Sequence, residues 1–193
     1  MGVATLYALP GVEADVSFGR WDARVQMAGG SPSNADGFRY LGIDRLQWVA
    51  GGGYSIHQGF RVGGSASRGP YLGGSAPAYL PAGKTIRDYP NTDMGLDIQW
   101  ARGRLSASGE MQRFVFSSPN FVQSPNWLFT YGETKIIVTP RLFIAGRSGN
   151  LHAGAVRDVT GISSAQFAPG IVSTEAAVGL WLGPRVLLKT GYE

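Results

Sequence analysis

Few side chains in this sequence are suited to covalent chemistry. There are two histidines, His57 and His152, and no cysteine, so thiolate nucleophiles, disulfides and thiolate metal sites are excluded. Neither histidine belongs to an HExxH pattern, and GxSxG and GxxxxGK[ST] do not occur. His152 with the nearby Arg157-Asp158 has the residue types of a hydrolase rim, but a loop histidine is the plainer reading. Gly51-Gly52-Gly53 is followed by no helical pattern, so it reads as strand that permits curvature or close backbone approach, not as a phosphate loop. The expectation is a protein that is not an enzyme and carries no cofactor.

The informative chemistry is the placement of charge. Glu13, Asp15, Asp22, Arg24, Arg61, Asp97, Arg104, Glu110, Glu175 and Lys189 fall at alternate positions, between apolar neighbours. Alternate residues of a strand share one face. Asp15, Arg24, Arg61, Asp97, Gln99, Arg104, Glu110, Glu175 and Lys189 are therefore the candidate pore-lining residues, a hydrated wall whose charges tune permeation. A solvated sheet face or a plug of salt bridges is the competing reading, and Asp15 opposite Arg24 fits either. The formal charge is +4, and its positive excess lies mainly in loops and turns, at Arg39, Arg45, Lys84, Arg87, Arg102, Arg141 and Arg157. No Lys/Arg run marks a nucleic-acid patch.

The elements that must hold these charges are strands, because the hydrophobic period is two almost throughout. Val12–Phe18 and Trp21–Met27 are joined by Gly19-Arg20, a type II′ signature. That turn sets Phe18 opposite Trp21, Val16 opposite Ala23 and Asp15 opposite Arg24, leaving one apolar and one polar face. A turn at Arg102-Gly103 would pair Trp100 with Leu105, Ile98 with Ala107 and Met94 with Met111. Three-residue loops at His57-Gln58-Gly59, which places glycine where a left-handed bulge residue is needed, and at Gly183-Pro184-Arg185 pair Ile56 with Phe60, Ser55 with Arg61, Leu182 with Val186 and Gly179 with Lys189. A fifth hairpin turns near Thr139-Pro140-Arg141, and its facing is ambiguous.

The result is about ten strands of the length a tilted membrane strand requires, within a single domain spanning residues 1–193. Short turns alternate with long segments at Gly29–Asp44, Pro70–Thr92, Ser117–Asn126 and Asn150–Gly170, the asymmetry of an outer-membrane barrel. Phe18, Trp21, Tyr54, Phe60, Trp100 and Trp181 lie close to short turns and are the candidate membrane girdle. Trp48, Trp127 and Tyr192 lie near the opposite strand ends. The 29 glycines, about twice the usual share, are spread along the chain. The predicted fold is an all-β, antiparallel, up-and-down transmembrane β-barrel.

Residues 1–10 have no basic residue and too short an apolar stretch for a secretory signal. On the barrel reading the ten strands would start and finish on the extracellular side, whereas bacterial barrels ordinarily begin and end in the periplasm, and the last strand stops at Tyr192-Glu193 without the usual closing aromatic. The expectation is a segment of a larger barrel.

Gly19–Arg24, Phe60–Leu72 and Pro184–Lys189 resemble pieces of bacterial porin-like outer-membrane proteins, nearest to the phosphate-selective (O and P type) porin superfamily. The resemblance is a rhythm of hairpins over most of the chain, without a diagnostic motif. It implies passive diffusion of small polar solutes or ions, a Gram-negative outer membrane and commonly a homotrimer. No ladder of inward arginines supports phosphate selectivity. The alternative is a non-transporting β-domain: a small membrane anchor or adhesin barrel, or a soluble sandwich or barrel that binds a partner.

Overall fold

The computed structural model describes residues 11–29, 46–72, 80–160, 163–164 and 170–193. The N-terminal segment and the loop arginines Arg39 and Arg45 lie outside them. Ten strands form one antiparallel up-and-down sheet, in the order β1-β2-β3-β4-β5-β6-β8-β9-β12-β13. They are β1 (Gly11–Phe18), β2 (Trp21–Ala28), β3 (Gln47–His57), β4 (Phe60–Pro70), β5 (Pro90–Arg102), β6 (Leu105–Phe116), β8 (Asn126–Ile137), β9 (Leu142–Ala153), β12 (Ile171–Gly183) and β13 (Val186–Tyr192). Three short strands, β7 (Phe121–Gln123), β10 (Val156–Asp158) and β11 (Ser163–Ser164), form a second small sheet. Three of the long connections thus carry structure of their own, including a 3₁₀ turn at Ile86–Asp88.

Glycine sets the tight turns. Gly19 and Gly103 have φ of 59° and 60°, while the arginine after each keeps a negative φ. Left-handed backbone at the first central position alone is what a type II′ turn needs, and it suits glycine. This requirement corrects the β5–β6 hairpin. The turn is Gly103-Arg104, so Trp100 faces Ala107, Ile98 faces Gly109, Leu96 faces Met111 and Met94 faces Arg113. The pairs shift by two residues, which leaves every side chain on its expected face.

Two other hairpins carry bulges. Ser55 faces Arg61 as expected, but the register shifts across Ile56 and His57 faces Phe60. Gly179 faces Lys189 and Leu180 faces Leu188, but the shift across Leu182 makes Gly183, not Leu182, the partner of Val186. The hairpin of ambiguous facing is resolved: Ile137 faces Phe143, and Glu133 faces Arg147.

Short turns and long connections alternate between the two ends of the sheet. β1 and β13 are its two edges, and no pairing joins them among the described residues. The sheet is open. Nor is there a conventional core: the buried apolar side chains among the described residues are Ile86, Phe143, Ala153 and Val156.

Candidate functional site: the charged face of the sheet

Cross-strand register collects the charges into rows on one face. One row runs Ser17–Asp22–Gly53–Gly63–Asp97–Glu110–Tyr131 from β1 to β8. Another runs Ser55–Arg61–Gln99–Ser108–Glu133–Arg147–Glu175 from β3 to β12. Asp15 and Arg24 continue this face on β1 and β2, and Lys189 continues it beside Gly179 on β13. Eight of the nine expected wall residues are therefore brought together. The exception is Arg104, which occupies the turn and donates from Nη1 to the Val138 carbonyl at 3.2 Å. The requirement for a leading glycine moved it out of the strand.

Arg61 organises the first half of this face. Its Nε and Nη2 donate to the two carboxylate oxygens of Asp22 at 2.9 and 2.6 Å, and Nη1 donates to Asp97 at 2.7 Å. The paired donation to Asp22 is the fork geometry that favours arginine over lysine. To reach Asp22 on β2 from β4, the side chain must lie flat across β3. Gly53 provides that path, since a Cβ there would collide with the guanidinium. A Cβ at Gly63 would collide with the Asp97 carboxylate. The Arg61 side chain is 26% exposed, against 42% for Asp22 and 30% for Asp97, so water still screens the cluster.

Other pairs are more open. Arg24 donates to Asp15 at 2.5 Å and lies 3.8 Å from Glu13. Arg147 pairs with Glu175 across the β9–β12 boundary. Tyr131 donates its hydroxyl to Glu133 at 2.5 Å, and Lys135 sits 4.3 Å over the Phe143 ring. Three concavities open on this face, two of which follow the second charged row. One, of about 560 Å³, is lined by Arg20, Ser55, His57, Arg61, Gln99, Ser108 and Glu133 near the short turns. A second, of about 260 Å³, lies among Glu133, Arg147, Glu175, Trp181 and Lys189.

At the long-connection end, Phe116 packs edge-on against Tyr71 and tilted against Trp127, each pair with ring centroids 5.2 Å apart. The Tyr71 hydroxyl donates to the Ser117 carbonyl at 2.8 Å, and burial pushes its phenol above the usual range. Among the described residues, no three His, Asp or Glu side chains converge as a metal site.

The opposite face is apolar and open. Phe18, Trp21, Tyr54, Phe60 and Trp100 line its short-turn edge, with the Trp21 and Tyr54 rings 4.6 Å apart. Trp181 does not join them. It faces Leu187, and its parity is that of Gly179 and Glu175, on the charged face. Nearness to a turn suggested it, but parity decides which face a strand residue takes. Trp127 likewise lies on the charged face, opposite Phe114. His152 is not in a loop: it belongs to β9, opposite Leu128 on the apolar face.

Glu133, Lys135 and Arg147 were not legible as wall residues. Aromatic residues share their face at Trp127, Phe129, Tyr131 and Phe143, which blurs the alternation of β8 and β9. Asp22 was legible as polar, but its partnership with a residue two strands away was not. Comparisons with protein families, curated proteins and solved structures find no match in any of the three.

Proposed function

We propose that this sheet is the wall, or part of the wall, of an outer-membrane β-barrel that lets small polar solutes or ions diffuse passively. The observation that carries the reading is the division of labour between the two faces. Val12, Met94, Leu96 and Leu188 on the apolar face are 75%, 64%, 60% and 58% exposed, and nothing in the described chain covers them. Burying one such side chain stabilises by roughly 1.5–3 kcal/mol, so a face of them left in water is disfavoured. A bilayer covers that face without a second sheet. The small β11-β10-β7 sheet is too short to serve as the other half of a sandwich.

Lipid also requires that backbone groups find partners, which an open sheet edge denies. β1 and β13 run antiparallel to each other, so the wall is completed by further antiparallel strands or by closure on itself. The mixed charge of the opposite face then lines water, with Arg61, Asp22 and Asp97 as its most ordered constellation. Acids outnumber bases on that face, with Asp93 and Glu133 joining those above, which suits a weak preference for cations.

Planar-bilayer recording of the full-length protein tests this. Stepwise conductance that falls or changes selectivity when Asp97 and Glu110 are neutralised supports a channel. Stable membrane insertion without conductance would make the barrel an anchor. Recovery as a monodisperse protein without detergent would overturn the membrane reading.

A further inference from the structure

On the apolar face the strands carry no carboxylate among the described residues, and their charged residues are Arg68, Arg102 and Arg113. Arg102 ends β5 at the short-turn edge, whereas Arg68 and Arg113 lie toward the long-connection end. Arg68 does not stand alone. It lines a concavity of about 290 Å³ with Leu46, Trp48, Pro70, Pro90 and Arg87, the last from the 3₁₀ turn. Leu46 and Trp48 are 42% and 40% exposed. No carboxylate lines the concavity, and neither arginine forms an ion pair among the described residues. Asp88, next to Arg87, is already engaged by Lys84 at 3.3 Å and by the Thr85 amide at 2.8 Å.

The depth of this site follows from the strand. Phe60 and Arg68 share a face eight residues apart on β4. At about 3.3 Å per residue and a tilt of about 40°, they are separated by roughly 20 Å along a membrane normal. If Phe60 and Trp100 sit at one interface, Arg68 reaches the level of the other. An apolar floor, an exposed tryptophan and two arginine forks at headgroup level make one kind of site.

We propose that this concavity seats the phosphate-bearing headgroup of an outer-leaflet lipid, with Arg68 and Arg87 on the phosphate and Trp48 and Leu46 against the start of its acyl region. The assignment rests on the membrane reading above. A phosphomonoester carries roughly −1.5 to −2 charges near neutral pH. Arginine presents planar, paired donors to such a group. Indole rings favour the same interfacial level.

The test uses the full-length protein, folded and solubilised in neutral detergent, with phosphatidic acid as the probe. Native mass spectrometry should find phosphatidic acid retained over phosphatidylcholine. Replacing Arg68 and Arg87 together by serine should weaken retention by at least roughly tenfold, the loss of one charge-assisted hydrogen bond or more. Arg68→Lys with Arg87→Lys should keep an intermediate affinity, and Arg102→Ser should change nothing. Equal retention by the serine pair overturns the proposal, as does displacement of the lipid by inorganic phosphate alone, which would mark a soluble-anion site. Loss of heat-modifiable folding in neutral lipid by the unaltered protein would instead count against the barrel itself, a separate result.

Discussion

Leu96 sits at the centre of β5, six residues from each end, on the apolar face with 60% of its surface exposed. If that face meets lipid, Leu96→Arg places a guanidinium near the bilayer midplane at a cost of about 2–4 kcal/mol. That is a loss of roughly thirty- to several-hundredfold in the folding equilibrium. If the face met water, the same change would fall within about 0.5 kcal/mol, as exposed substitutions do. Ile98→Arg should behave like Leu96→Arg, one step along the same face. Ser108 is the control: it lies on the charged face between Gln99 and Glu133, so Ser108→Arg gains a facing carboxylate and should be tolerated, as should Gln99→Arg. Urea titrations of the full-length protein folded into neutral lipid vesicles give the differences directly. Equal penalties on both faces would mean that both are packed, as in a sandwich. No penalty on either would refute the lipid contact.

Arg61→Met should cost about 1–2 kcal/mol, because Asp22 and Asp97 lose their partner while remaining partly screened by water; equilibrium unfolding checks it. The same variant should move the reversal potential toward stronger cation preference, and Gly53→Ala should do so more weakly by displacing the guanidinium. Across a salt gradient the unaltered protein should show weak selectivity, so strong anion preference saturating with phosphate would contradict the placement of the loop arginines outside the wall. The Asp88 carboxyl is held below its ordinary range, chiefly by the Thr85 backbone amide and further by Lys84. Its contribution to the 3₁₀ turn is therefore full above the unfolded carboxylate value of about 4 and is lost as pH falls below it. The protection factor of the Thr85 amide, its intrinsic over its observed exchange rate, should fall on acidification, and Asp88→Asn should remove that pH dependence.

Most of the strand framework was legible because two-residue turns couple local glycine chemistry to long-range parity. Gly19-Arg20 alone determined eight residue pairs between β1 and β2. Parity survived even the two-residue slip at Gly103-Arg104, since an even shift keeps each side chain on its face. The bulge of the β3–β4 hairpin was legible from Gly59, whose φ of 82° is the left-handed backbone such a bulge needs, although its exact pairing was not; nothing around Leu182 announces an extra residue, because a bulge there answers to the twist of the assembled sheet. Trp181 shows the cost of reading aromatics by nearness to a turn without counting parity. The Arg61 constellation needed three dimensions, since its arginine reaches across a whole strand through space that only Gly53 and Gly63 leave open. The structured long connections, with β7 and β10 paired, likewise depend on segments remote in sequence.

The central claim is that alternate residues of one strand face lipid and water, and the absence of cysteine from the sequence makes it directly measurable. Single cysteines introduced from Met94 to Gln99 in the full-length protein, reconstituted in vesicles, can be tested with a water-soluble thiol reagent and with lipid-borne quenchers of an attached fluorophore. Reaction with the aqueous reagent is expected at positions 97 and 99, and quenching by lipid at 94, 96 and 98. Aqueous labelling of both parities, with no quenching by lipid at any position, would contradict it.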